Sequence, residues 1–468
     1  MLPAVQFSAA EWLLVAQYEL LLFAACFFAL GALDELVVDC SYFWLRLTGK
    51  ARTPKLEDSD WGSARLAGRA AVFIPAWQES AVIGPTISHA LTVWQHAEMT
   101  IYVGCYRNDP HTIASAMVAA RGDVRVRVVI HAAQGPTSKA DCLNRLYAAL
   151  CEDEARSGEL ARMVVLHDAE DMVDPAGLAA MDQALWHADF IQLPVLALPQ
   201  GGSRWIASHY SDEFAEAHGK TMVVRGALGA ALPGAGVGSA IARTMLGTLD
   251  RKARGDGPFA RESLTEDYEL GFRIAALGGS SHFLRARAAD GRLIATRAYF
   301  PAQLSVAVRQ KTRWMHGIAL QSWDRLGWSG GAISQWMQLR DRRGPLAAIL
   351  LAIAYMLVAT TFIGLLASNA GLIEPPPLSP LVEGLLAFNI VALAWRFIMR
   401  AVFTGREYGV AEGLRAIPRM FISNIIAIMA GRRALSAYLS TLRGAPVVWD
   451  KTEHRDHPAL SRDAELLA

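Results

Sequence analysis

Residues 163–171 read Met163-Val164-Val165-Leu166-His167-Asp168-Ala169-Glu170-Asp171, an apolar run that ends in closely spaced carboxylates. A short run with β-branched residues at its centre predicts a buried strand over Met163–Asp168. Carboxylates so close together cannot all stay charged and unpaired without cost. A divalent cation would relieve them, and hard oxygen ligands suit Mg2+ or Mn2+. Asp168 and Glu170 are the candidate ligands, and Asp171 is near enough in sequence to share the ligation. A solvated acidic turn is the plain alternative.

On either side of this stretch, β-rich runs alternate with helical ones. The strands expected are Ala70–Ala76, Met99–Tyr106, Arg125–Ala132, Met163–Asp168 and Phe190–Leu198, with helices near 80–96, 110–121, 138–152 and 175–187 between them. That order predicts an α/β domain with a mostly parallel sheet. Ligands of such sheets bind at the carboxyl ends of the strands. The polar residues Gln78-Glu79, Arg107-Asn108-Asp109 and Asp168-Ala169-Glu170-Asp171 fall at those ends. Lys139 opens the helix after the third strand, placed to meet a phosphate or the acidic cluster. Residues 203–224 read as helical, and Gly226–Gly238 is a small-residue loop. Such a loop either lets backbone approach a ligand closely or is simply flexible.

Further along, Thr265-Glu266-Asp267 precedes a helix expected over Tyr268–Leu277, which Thr265 would cap. The positive end of the helix dipole favours Glu266 and Asp267 there. Residues 301–326 form an amphipathic helix suited to a membrane surface, and Gln310, Arg313 and Trp314 share one part of it.

The chain is 468 residues long, which calls for more than one structural unit. Its net charge of +1 gives no reason to propose nucleic acid as a partner. Hydrophobic residues make up 53%, and they are unevenly placed. Residues 12–33 are long and apolar enough to span a bilayer, as are 345–367 and 381–399. Residues 417–430 are shorter and flanked by Arg415, Arg419, Arg432 and Arg433, which predicts an interfacial helix. Lys and Arg at 46, 50, 52 and 55 follow the first span, so the positive-inside rule places the next domain in the cytoplasm. The resulting division is 1–45 (first membrane helix), 46–330 (catalytic domain), 331–442 (membrane and interfacial helices) and 443–468 (cytoplasmic tail). The five cysteines form no CxxC pair, which predicts reduced thiols.

Taken in order, PAWQE, NDP, a lysine before a helix, DAED, TED, QKTRW and membrane helices resemble the processive family 2 membrane glycosyltransferases, such as cellulose and hyaluronan synthases. The strings VLHDAEDMVDP, TEDYELGFRI and VVWDKTEHRDHP resemble more closely the phage-adsorption inner-membrane glycosyltransferases of the NfrB type. The resemblance implies a GT-A domain, a Rossmann-like nucleotide-diphospho-sugar transferase fold, joined to transmembrane helices in the bacterial inner membrane. It implies transfer with inversion from a UDP-sugar, a UDP-N-acetylhexosamine, to a growing glycan exported past membrane lipid with an outer-membrane partner.

Residue by residue, the resemblance assigns Glu79, Asp109 and Lys139 to the nucleotide, and Asp168 with Glu170 to the Mg2+ or Mn2+ and UDP. It makes Asp267 the base beside Glu266, and gives Gln310, Arg313 and Trp314 to the diphosphate and acceptor sugar. Glu170 departs from the pattern, which has Asp there. The alternatives are a single transfer onto a lipid phosphate, or a phage-receptor scaffold with a degenerate transferase domain.

Overall fold

The protein is described here by a computed structural model covering residues 8–57, 61–372, 377–445, 451 and 454–460. The ends of the first and last sequence-defined units, and part of the VVWDKTEHRDHP string, lie outside these residues.

Nine strands are described: β1 (Ala70–Pro75), β2 (Met99–Tyr106), β3 (Val126–His131), β4 (Met163–Leu166), β5 (Phe190–Gln192), β6 (Val195–Ala197), β7 (Ser239–Ala242), β8 (Ser281–Phe283) and β9 (Thr296–Ala298). Seven of them form one sheet in the order β3-β2-β1-β4-β7-β5-β8. The first four are parallel, as the alternation with helices predicts, and β7 runs antiparallel to both β4 and β5. Strand side chains alternate between two buried faces. Val72, Ile74, Met163 and Val165 pack into the core under the helices Ile83–Val93 and Gly177–Ala184. Phe73, Val164 and Leu166 pack into the core under Lys139–Ser157, Arg243–Lys252 and Glu266–Ala276. Burial on both faces is why these strands read as unbroken apolar runs.

The single strand expected over Phe190–Leu198 is two. Pro194 has no N–H to give a ladder, and the chain changes sheets there, with β6 pairing with β9. The helix expected over 203–224 is interrupted by a π-helical turn, Ala217–Thr221, between Ser208–Glu216 and Met222–Ala227. A second π turn, His316–Gln321, interrupts the amphipathic helix after Leu304–Met315.

Among the described residues, four helices are long and apolar enough to cross a membrane: Glu11–Leu47, Gly344–Asn369, Pro380–Tyr408 and Val410–Leu442. The fourth corrects the expected short helix at 417–430, which is the middle of a 33-residue helix. Its arginines misled the reading of its length, because Arg419 is fully buried and paired with Asp212 at 2.7 Å and with Glu412 at 2.5 Å. The membrane helices are tied to the domain by buried charge. Lys220, in the first π turn, pairs with Asp39 of the first helix and with Glu216 at 2.9 Å.

Candidate active site

One cavity opens at the carboxyl ends of β1, β2 and β4, and Glu79, Lys139, Asp168, Glu170, Glu266, Asp267, Gln310, Arg313 and Trp314 all line it. The fold thus brings together groups that stand up to 235 residues apart in the chain (314 − 79).

Lys139 sits at the centre. It starts a helix capped by Ser138, whose side chain accepts from Asp141 N. Its Nζ lies 2.6 Å from Asp168 Oδ1 and donates to Gly236 O at 3.3 Å. Burial opposes its charge, but Asp168, Glu266 and Asp267 together hold the ammonium well above its ordinary pKa.

Asp267 lies in the first turn of the helix Glu266–Ala276, and its Oδ1 accepts from Tyr268 N at 2.8 Å. Burial raises its pKa above the usual carboxylate value, while Lys139 pulls it back. Burial also pushes Glu266 up, to about 7, with Asp267 adding to the shift. Thr265 does not cap this helix with its side chain: Oγ1 is buried and without a hydrogen bond, and Gly317 packs directly against it. The small-residue loop resolves as a close backbone approach. A Cβ on Gly236 would stand 2.5 Å from Asp267 Oδ2 and 3.1 Å from Lys139 Nζ, and its φ is +76°. The reason is β7: running antiparallel to β4, it starts where β4 ends, and so carries Gly234–Gly238 to the mouth of the site.

The acidic cluster is divided. Asp168 faces Lys139, whereas Glu170 Oε1 lies 3.1 Å from His454 Nε2. Burial lifts Glu170 to about 8, and the neighbouring carboxylates add to this. Asp171 also lines the cavity but is almost fully buried, with Oδ2 taking His167 Nδ1 at 2.9 Å and Asp168 N at 3.0 Å. Glu79 Oε1 meets Lys451 Nζ at 2.8 Å and His454 Nδ1 at 3.0 Å. The donor set here is mainly carboxylate oxygen, which fits Mg2+ or Mn2+.

Asp109 is not on the cavity wall. Its carboxylate caps the helix Pro110–Ala120 and accepts from Gln78 N at 2.5 Å, holding the turn that presents Glu79. At the other end, Trp314 stands edge-on to Phe214 at 6.2 Å and Tyr210 at 5.9 Å, with Phe300 6.4 Å away. Gln310 is buried nearby, and its Oε1 has no hydrogen bond.

Sequence reasoning did not single out Trp77, Tyr106, Phe214, Tyr299, Phe300, Lys451 or His454, all on the wall. For the aromatics nothing distinguishes a lining residue from core. For Lys451 and His454 the signal is the VVWDKTEHRDHP string, which carries the family resemblance although its residues fall in the segment assigned to the tail.

A model of the family described as "Glycosyltransferase like family 2" matches residues 67–317. The chain is 32% identical, over 98% of its length, to Bacteriophage adsorption protein B of Escherichia coli (strain K12). It is equally similar to Bacteriophage N4 adsorption protein B of Escherichia coli O157:H7. It spans 64% of the length of each. Among solved structures it resembles a mannosyltransferase from Pyrobaculum calidifontis in complex with GDP-Man and Mn2+, with 16% identity and a TM-score of 0.51. That match covers 85% of this chain and 99% of the other, and it bears on the fold.

Proposed function

The chain belongs to the glycosyltransferase-like family 2, and on that footing we propose that it transfers a sugar with inversion from a UDP-sugar, a UDP-N-acetylhexosamine, to a growing polysaccharide passed outward through its membrane helices. The observation that carries this reading is the shared cavity. Asp168 on the donor side and Asp267 on the acceptor side both face Lys139 in it.

Asp267 takes the proton of the acceptor hydroxyl as that oxygen attacks the anomeric carbon. The nucleoside diphosphate leaves from the opposite face, beside Lys139 and Arg313, whose charges offset what develops on it. Asp168 and Glu170 belong to the cluster that would hold Mg2+ or Mn2+, and the cation would supply further positive charge to the leaving diphosphate. Trp314, beside Phe300 and Phe214 on the same wall, offers the acceptor ring an aromatic surface. Glu79 serves the nucleotide side, and Asp109 acts on it through Gln78.

Four helices fit to span a bilayer support placement in the inner membrane, with the basic residues after the first of them facing the cytoplasm. An outer-membrane partner for export is part of the same proposal, following the family resemblance of the VLHDAEDMVDP, TEDYELGFRI and VVWDKTEHRDHP strings. The test gives membrane vesicles labelled UDP-sugars with Mg2+ or Mn2+ and records the sugar incorporated and the product length. Incorporation of an N-acetylhexosamine into long product is expected. A single sugar on lipid, or no UDP release from any donor, would overturn the reading.

A further inference from the structure

The residues 451 and 454–460 pack back onto the domain although the chain has by then passed through the membrane helices. His457 is buried, with Nε2 3.3 Å from Asp171 O, and Pro458 is buried beside it. Lys451 donates to the carbonyl oxygens of Trp77 and of Gln78, the latter at 3.1 Å. This segment is therefore seated on the loop after β1 and on the acidic turn after β4.

What it brings there is an imidazole. His454 stands between Glu79 and Glu170, and the three residues offer ligand atoms all within 4.8 Å of one another. Small cations with bonds of about 2.1 Å need ligand atoms about 3–4 Å apart, so modest side-chain shifts suffice. A separate observation marks an open position. Glu79 is 4% exposed, yet its Oε2 is buried with no hydrogen-bond partner, and Glu79 lines the cavity. A buried carboxylate oxygen left without a donor is costly unless something positive completes it. Asp168, the other acid of the expected pair, already faces the Lys139 ammonium at 2.6 Å.

We propose that His454 is a ligand of the divalent cation at this site, together with Glu170 and Glu79, so that the C-terminal segment completes the metal centre and is locked down by it. The imidazole reaches both carboxylates, Nδ1 lying 3.0 Å from Glu79 Oε1 and Nε2 3.1 Å from Glu170 Oε1. A cation bound there would be held by one of these nitrogens with Glu170 and Glu79, beside Lys451, whose Nζ lies 2.8 Å from Glu79 Oε1. The inference rests on the transferase reading of the cavity but can fail separately from it.

The test uses the full chain, purified in detergent and loaded with Mn2+. Pulsed electron paramagnetic resonance should show 14N coupling from a directly bound imidazole, and H454Q should lose it. Mn2+ affinity in H454Q should fall at least about tenfold, since even second-sphere changes at metal sites cost that much. Mn2+ should also protect the backbone at Lys451 and Arg455 from trypsin in the unmodified chain and not in H454Q. Absent 14N coupling in the unmodified chain would overturn the proposal. So would Mn2+ binding in H454Q that is equal or tighter, which would make His454 a competitor of the cation. Nitrogen coupling without turnover of any UDP-sugar would remove the transferase reading alone. Turnover with unchanged Mn2+ affinity in H454Q would remove the ligand assignment alone.

Discussion

Lys139 Nζ lies 2.6 Å from Asp168 Oδ1, and the same ammonium stabilises the charged form of Asp267, 128 residues from Lys139 in the chain (267 − 139). One cation thus links Asp168 to Asp267, the proposed base. Its helix, capped by Ser138, fixes its position independently of either.

That linkage sets the pH response. Asp267 has to be ionised to accept a proton, and burial raises its pKa. Activity should therefore fall on the acid side at a pH above the value of about 4 of an ordinary aspartate. Lys139 opposes the rise, so removing its charge should move the limb higher still. In kcat/KM profiles, K139M should show a lower plateau and an acid limb displaced upward. An unchanged limb would separate Lys139 from Asp267.

Gly236 should be intolerant of a side chain. A Cβ there would stand 2.5 Å from Asp267 Oδ2, and φ of +76° costs an L-residue about 1–2 kcal/mol. G236A should lose kcat at least about tenfold while UDP affinity, measured by calorimetry, stays within a few-fold. Gly229 also has positive φ, at +69°, with nothing near its Cβ position, so G229A should show the strain without the loss of rate.

Trp314 should matter to the acceptor more than to the donor. It lines the cavity together with Phe214 and Phe300, which meet it edge-on. W314A should raise the acceptor KM about tenfold, equivalent to ~1.4 kcal/mol, and shorten the products, with UDP affinity little changed. Product sizing on gels and donor titration separate the two effects.

Much of this could be read from residues in order, and the exceptions have physical causes. Strands β1, β2 and β4 were legible because both faces are buried, which leaves nearly unbroken apolar runs, while β3, at the sheet edge and half-buried, was legible from its alternating valines. Strand β7 was not, since Ser239-Ala240-Ile241-Ala242 is short and small, and only its pairing with Leu166 and Gln192 makes it a strand. The length of the last membrane helix was hidden by Arg419, whose charge is met by Asp212, 207 residues away. His454 escaped notice for the same reason: its partner Glu79 lies 375 residues back. Partners so distant leave no periodic trace. Asp109 was readable as a polar residue at a strand end, but its turn toward Gln78 instead of the cavity depends on the three-dimensional course of that loop.

The most direct test of the account is the comparison of D267N with the unmodified chain in membrane vesicles, following labelled-sugar transfer and UDP binding side by side. Losing a general base at this position should cut transfer by about 10²–10⁴-fold while UDP affinity stays nearly intact. Full transfer by D267N would contradict the assignment of Asp267 as the base.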